Sequence, residues 1–284
     1  MSAGDIREAR LSGAVRRRLV HGGLISLALL YVGMLVLAPL LGIAVAAIRP
    51  GWHTWVQTLS SSDARHAYYL TGIITLVSVG VTGTLGVLVA LVLARDHFPG
   101  RGVVSAVADL PIAISPVIVG LSAVLLFGRG GWFEPWFSAH GIQMLYATPS
   151  MALVTLMICI PFVIREVAPI LDELGTDEEQ AAKTLGASSL QTFFRITLPN
   201  IRWGLAYGVA LSTARAIGEV GAVIIVSGLI AGRTETATLY IFRLFDQNHD
   251  DQGYIVALTL ALISIVILAA IEFFKHREEG ELSV

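Results

Sequence analysis

Charge is scarce in this chain. Only 14% of its 284 residues are Asp, Glu, Lys or Arg, against about 25% in ordinary globular proteins, so a water-facing surface of normal extent cannot be built. Cysteine is scarcer: Cys159 stands alone, which excludes an intramolecular disulfide framework and a thiolate metal cluster. Its apolar surroundings make it a buried spectator, not a nucleophile. The seven histidines (His21, His53, His66, His97, His140, His249 and His276) include no i, i+4 pair of the kind that holds a metal on a helix. No G-x-x-x-x-G-K-[ST] loop occurs. Its nearest look-alike, Ala182-Lys183-Thr184, lacks the glycine that must precede the lysine for backbone amides to cradle phosphate. Nucleotide-driven work would therefore need a partner, and no ATP or Mg is expected on this chain. A net charge of −2 gives no nucleic-acid footprint. Internal repeats, low-complexity tracts and a separate soluble domain are also missing.

What the chain has is apolar residues, 55% of the total. They gather in six runs long enough to cross roughly 30 Å of hydrocarbon, near 22–48, 67–94, 103–127, 145–164, 203–226 and 253–274. The runs are continuous and do not alternate as barrel strands would. The first is too long for a cleaved leader and lacks its small-residue site, so it reads as a retained anchor. The expected fold is an all-α integral membrane protein of six transmembrane helices, one domain over 1–284. Basic residues accumulate on the cytoplasmic side. With the N-terminus inside, the inner segments hold thirteen (Arg7, Arg10, Arg16, Arg17, Arg18, Arg95, Arg101, Arg165, Lys183, Arg195, Arg202, Lys275, Arg277) and the outer loops five (Arg49, Arg65, Arg129, Arg233, Arg243). Both termini are then cytoplasmic. Trp52, Trp55, Trp132, Phe133, Trp136 and Phe137 in the outer loops suit the headgroup level.

The informative stretch is the inner segment 166–202. Gly175 ends one turn, and Thr176 with Glu179 matches a capping box. A short helix should then run to Leu185 and stop at Gly186, a residue suited to the left-handed end position. Ser188 with Gln191 matches a second capping box, opening a helix expected to run to Leu198 before Pro199. Ala181, Ala182 and Leu185 make a small apolar edge on the first helix. Leu190, Phe193 and Phe194 fall at i, i+3 and i+4 on the second, one exposed face. On shape alone this knob either packs on the protein's own helix ends or docks in a partner's groove.

Gln180-Ala181-Ala182, Gly186 and Ile196-Thr197-Leu198-Pro199 resemble the EAA loop of ABC importer permeases, E-A-A-x3-G-x9-I-x-L-P, with the spacing kept at each position. Gln180 stands where the motif has Glu, directly after Glu178 and Glu179. The runs DEEQAAKTLGAS, RITLPNIRWGLAYG and ARAIGEVGAVIIVSG, with Arg165-Glu166-Val167-Ala168-Pro169, are similar to the sulfate/thiosulfate importer permeases, CysW-type subunits in particular. The resemblance covers most of the chain and implies a multi-pass subunit of a bacterial inner membrane. Its implied partners are a CysA-like ATPase dimer, a CysT-like second permease, an extracytoplasmic sulfate-binding protein and membrane lipid. ATP and Mg would sit on the ATPase. In that family the EAA helices lie in a cleft on the ATPase, which makes Gln180, Ala181, Ala182, Gly186, Leu190, Phe193, Phe194, Ile196, Leu198 and Pro199 the expected coupling residues.

Span five holds two further features. Gly204, Gly208, Ser212 and Ala216 form a small-residue stripe that admits another helix closely, from this subunit or from a second permease. Arg215 and Glu219, four apart inside the hydrocarbon, are either a structural ion pair or an anion-attracting arginine restrained by a glutamate. Asp109, Pro111 and Pro116 in span three point to a bent helix. Two rival functions share some of these features. An ion-coupled secondary transporter could use Glu219 or Asp109 as carrier, and a molybdate or phosphate ABC permease would share the EAA loop.

Overall fold

The computed structural model describes residues 3–96 and 98–281, without the side chains of 3–21, 272 and 274–281. His97, and the side chains of Arg7, Arg10, Arg16, Arg17, Arg18, His21, Lys275, His276 and Arg277, lie outside the described residues. The described elements are all helical. Helix α1 (Ala3–Ile48) is followed by the short α2 (Trp52–Ser60), by α3 (Ser62–Arg95) and by α4 (Arg101–Ala113) with α5 (Pro116–Phe127). After α6 (Glu134–Ala139) comes α7 (Thr148–Leu174), and then α8 (Asp177–Thr184) and α9 (Ser189–Thr192). A π-helical turn, Phe193–Thr197, leads into α10 (Leu198–Ile217), followed by α11 (Gly221–Ser227), α12 (Ala237–Asp246) and α13 (Asp250–Glu281).

Four helices are long and apolar enough to cross a membrane alone: Gly22–Ile48 of α1, α3, α7 and Asp250–Ile271 of α13. Two more candidates are broken. Helices α4 and α5 meet at a bend of 112°, and the run Ser189–Ile217 meets α11 at 54°. The bent helix expected within 103–127 is present as the break between α4 and α5, whereas the unbroken span expected at 203–226 is corrected here. Pro116 disfavours helical geometry at Ser115, which is extended (φ −61°, ψ 136°). Pro116 then takes the first helical position, where a missing N–H costs nothing. Pro111, by contrast, sits inside α4 without ending it.

The core is α7 held between α3 and α10, and it closes where side chains are smallest. A Cβ on Gly86 of α3 would lie 2.7 Å from Val163 Cβ, and one on Gly208 of α10 would lie 2.9 Å from Val163 Cα. At Gly204 it would come within 2.8 Å of the Glu166 carbonyl oxygen. Ser212 Oγ donates to the Cys159 carbonyl at 3.3 Å, and Cys159 Sγ donates back to the Ser212 carbonyl at 3.5 Å. The small-residue stripe of span five therefore packs on α7 of the same subunit. Ser78 Oγ of α3 donates to the Ala152 carbonyl at 2.9 Å, a second backbone tether to α7.

At the end of the bundle away from α8 and α9, Arg243 of α12 joins three segments. Its Nε and Nη2 donate to Glu235 at 2.7 and 2.9 Å, and Nη2 also reaches Asp63 at 2.8 Å. Hydrogen bonding to Glu235 raises the Arg243 pKa above its ordinary value, against the opposing effect of partial burial, and Asp63 adds to the rise. The fork–fork geometry matches a bidentate guanidinium–carboxylate pair.

Gly208→Ala should show that the α7–α10 contact is set by backbone approach. Its methyl group meets backbone, so overpacking should cost about 1–3 kcal/mol. Gly72→Ala, with nothing within 4 Å of the new Cβ, should be neutral or stabilising. Thermal unfolding of the two purified variants in detergent measures the difference; equal melting would remove the close approach as a constraint.

Candidate functional site

The segment between α7 and α10 folds as an exposed two-helix corner. Helix α8 ends in a Schellman arrangement: the Gly186 N–H donates to the Lys183 carbonyl at 3.0 Å and the Ala187 N–H to the Ala182 carbonyl at 3.0 Å. Gly186 itself has φ +87°, a conformation that L residues with a Cβ resist. Ser188 and Gln191 form the expected capping box, Gln191 N–H to Ser188 Oγ at 3.3 Å and Ser188 N–H to Gln191 Oε1 at 2.9 Å.

Three expectations for this segment are corrected. Thr176 and Glu179 make no capping box. Thr176 Oγ1 instead accepts from Gln180 Nε2 at 2.7 Å, while Glu179 turns to Arg95 Nη2 at 3.0 Å and to Thr197 Oγ1 at 2.9 Å. The second helix does not stop before Pro199. The Leu198 N–H donates to the Phe193 carbonyl in an i, i+5 turn, and this wider turn carries the chain past Pro199 into α10 without a break. The bundle also divides the aromatic face. Phe193 packs inward beside Val87, Val163 and Ile201, whereas Leu190 and Phe194 remain 71% and 60% exposed. Phe194 lies at one end of an apolar groove of about 900 Å³ between α3, α10 and α13. The free tip is Leu185, 89% exposed, with Leu190 across the Gly186 corner.

Acids brace the corner on the bundle. Besides Glu179, Glu178 accepts from Asn200 Nδ2 at 2.8 Å. Arg95 Nη1 donates to the Leu171 carbonyl at 2.8 Å, so one guanidinium ties α3, the end of α7 and α8 together. Sequence reasoning missed Arg95, Thr197 and Asn200. The signal available was two consecutive acids beside a loop, with an arginine ending the preceding long helix. Of the other motif residues, Ala181 and Pro199 are exposed, Ala182 and Ile196 half-buried, and Leu198 packs against the α3–α7 cluster.

The second feature lies where the two broken helices meet. Helix α10 ends at Ile217, so Arg215 and Glu219 are not on one continuous helix as expected. They meet across its end, Arg215 Nη1 lying 2.6 Å from Glu219 Oε2. That contact is electrostatic, off the direction of a hydrogen bond. Glu219 Oε1 accepts the Ala222 N–H at 2.8 Å, which serves the first turn of α11. The Glu219 side chain is 1% exposed and that of Arg215 32%. A Cβ on Gly221 would sit 3.0 Å from Pro116 Cβ, so the break between α10 and α11 abuts the break between α4 and α5. Asp109 is paired with Arg165 Nε at 2.8 Å.

The model of the family described as binding-protein-dependent transport system inner membrane component matches residues 83–276. Among curated relatives, the sulfate transport system permease protein CysW of Synechocystis sp. is 42% identical over 254 residues, covering 89% of this chain and 92% of that protein. The sulfate transport system permease protein CysT of Escherichia coli K12 is 35% identical over 264 residues, covering 92% and 95%. Among solved structures, a bacterial alginate ABC transporter in complex with an alginate pentasaccharide-bound periplasmic protein matches with a TM-score of 0.75 at 20% identity, over 96% of this chain and 98% of that one.

Arg215→Leu should leave a buried carboxylate without its counter-charge, a loss of about 3 kcal/mol or more. Adding Glu219→Gln keeps an acceptor for the Ala222 N–H and removes the charge, so the double variant should regain most of the folded yield. Folded yield after detergent extraction measures this; a double variant no better than Arg215→Leu would rule out charge compensation at this junction.

Proposed function

The chain belongs to the family of binding-protein-dependent transport system inner membrane components, and from that premise we propose that it is the membrane-spanning subunit of an ATP-driven sulfate/thiosulfate importer. The observation that carries the reading is identity of 42% over nearly the whole length with a protein named as a sulfate permease. The EAA-type corner supports it, because a lone secondary transporter has no use for an exposed, braced apolar tip. The proposal includes one domain of six crossings, each bent pair counted as one, with both termini cytoplasmic and the corner on the inner side of a bacterial inner membrane. It also includes a CysA-like ATPase dimer that holds ATP and Mg, a CysT-like second permease and an extracytoplasmic sulfate-binding protein. No cofactor is assigned to this chain.

In this reading the tip formed by Leu185 and Leu190, with Phe194 beside it, seats in a cleft of the ATPase. Movement of the cleft is passed on by two routes. One is the unbroken helical path from α9 through the π-turn into α10. The other is the Arg95–Glu179 ion pair into α3. Gln180, which bonds within its own loop, has no place in either route; Glu179 takes the bracing role.

Reconstituted with these partners, the transporter should show ATP-driven sulfate uptake that is indifferent to collapse of ion gradients. Uptake driven by an ion gradient without ATP would overturn the proposal, and preferential uptake of molybdate or phosphate would reassign the substrate. Leu190→Ala should remove an apolar anchor worth about 2 kcal/mol, weakening ATPase association roughly thirtyfold. Gly186→Val should do similar harm by opposing the left-handed corner. Full uptake and normal co-purification in both variants would exclude this tip as the docking element. For topology, cysteines placed at Ser62, Ser138 and Gln247 should react with an impermeant thiol reagent from outside and one at Ser188 should not. External labelling at Ser188 would invert the map.

A further inference from the structure

At the end of the bundle opposite the coupling corner, three separate stretches enclose a pocket of about 350 Å³. They are His66 near the start of α3, residues 143–148 leading into α7, and residues 230–234 ahead of α12. The lining brings together Arg233, His66, Gln143, Tyr146 and Thr148, with the Gln143 amide also donating to the Leu145 carbonyl at 3.3 Å. No carboxylate lines it. Arg233 forms no ion pair among the described residues, and the acids of adjoining segments, Asp63 and Glu235, are held by Arg243. The pocket is therefore lined by a cationic residue without an ion pair among the described residues, by neutral polar residues and by no carboxylate.

The backbone around it is strained. Among the described residues, three that are not glycine have positive φ. Tyr146 (φ 56°) lines this pocket and Leu229 (φ 52°) directly precedes it, the third being Asn248. Tyr146 is fixed in that conformation by its N–H donating to the Val226 carbonyl at 2.9 Å and by its ring seated on Gly228, where a Cβ would lie 3.0 Å from Tyr146 Cδ1. The Arg233 carbonyl lies 3.2 Å from His66 Nε2, which ties the third stretch to α3. Bulky residues hold left-handed backbone only where the surroundings enforce it, and such strain concentrates at ligand clamps. The first turn of α7 faces the same space with no side-chain cap, adding to the positive field.

We propose that this pocket is a receiving site for a tetrahedral oxyanion, sulfate in particular, on its way into the permease. The proposal rests on the sulfate-permease reading and adds a location within this chain. A guanidinium presents paired donors that match two oxygens of such an anion, and amide and hydroxyl groups can serve the other oxygens without giving up a proton. The volume falls at the small end of ligand pockets. A single full cation suits a site that must release what it takes, since conduction needs binding that is weak enough to leave.

The test uses one introduced thiol in the assembled transporter, held in lipid nanodiscs with ATPase, second permease and binding protein. Native Cys159 is fully buried, so in this chain Thr148→Cys supplies the accessible thiol. Sodium sulfate should slow its reaction with an uncharged maleimide, and sodium chloride at equal ionic strength should not. In the Arg233→Gln background the sulfate concentration for half-protection should rise about tenfold, the loss expected for one charge-assisted contact; Arg233→Lys should lie between. Ile230→Cys, on another wall, gives the same comparison if Thr148→Cys disturbs α7. Equal protection by chloride, or sulfate protection unchanged in Arg233→Gln, overturns the site. ATP-driven sulfate uptake by the unaltered complex is measured in parallel. Its absence defeats the sulfate-permease reading, whereas uptake without Arg233-dependent protection defeats only this site.

Discussion

Hydrocarbon offers no water to a broken helix, so every backbone group freed by a break must find a partner inside the protein. The described residues contain two such breaks within apolar runs, and Glu219 stands where they touch. Its carboxylate takes the Ala222 N–H that α11 leaves open, while its backbone carbonyl accepts the Thr238 hydroxyl at 3.1 Å. A buried carboxylate would be intolerable alone, and Arg215 supplies the compensating charge from the last turn of α10. Because Gly221 rests on Pro116, the same junction positions α5. A Cβ on Gly120 of α5 would then fall 2.8 Å from the Ala222 carbonyl oxygen, so α5 and α11 run in close backbone contact away from the breaks. This buried ion pair thereby holds together the junction of the two broken helices.

The other half depends on continuity. A proline at position 199 would ordinarily end a helix coming from the loop, and then the corner would hang from the bundle by a flexible joint. The i, i+5 turn at Leu198 removes that joint. Glu179 removes a second degree of freedom by leaving its own helix terminus for Arg95 and Thr197. These groups are less than one-fifth exposed, so solvent screens the pair less than it does an open surface contact. The corner is left with two rigid attachments, to α3 and to α10, which are also the helices packed most closely on α7. Close-packed helices transmit displacement instead of absorbing it.

Much of this was legible from residue order because membrane folding rests on few rules. Run length located the apolar segments, and Gly186 with Ser188 and Gln191 located the corner, since left-handed geometry and reciprocal caps are local properties. Interactions that depend on distant chain were not legible. Thr176 and Glu179 have the spacing of a capping box, but a charged partner 84 residues away competes better for the carboxylate than a backbone amide does. Leu190, Phe193 and Phe194 have helical spacing, but spacing alone does not say which of them the bundle covers, and Phe193 is half-buried against the α3–α7–α10 cluster. The continuous apolar runs alone showed neither break, because hydropathy records burial and is blind to direction. Pro116 marked one break, and the Gly218-Glu219 pair marked the other less plainly. The packing of Gly204, Gly208 and Ser212 on α7 was open between two neighbours until Val163 and Cys159 were seen against them.

The few charges this chain carries are spent at joints, and their exposure grades those joints by the cost of opening. Glu235 and Glu219 are each 1% exposed, and stripping a partner from a carboxylate so placed costs about 3–5 kcal/mol. The two pairs that hold α4 against α7 differ in kind. Arg101–Asp172 spans 3.7 Å with side chains 39% and 52% exposed, and Arg165–Asp109 spans 2.8 Å at 54% and 38%. Ion pairs that open to solvent contribute little, because water screens both charges. Helix α4 buries no residue of its own, so little besides these two pairs resists its displacement. It is joined to α5 through an extended two-residue link at a sharp bend. The firm joints therefore lie at the remote end and at the helix breaks, and the loose one lies along the half of α7 that leads into α8, beside the braced two-helix corner. Within its own subunit α4 is held less firmly than α5 or α11, both of which bury residues against neighbouring helices.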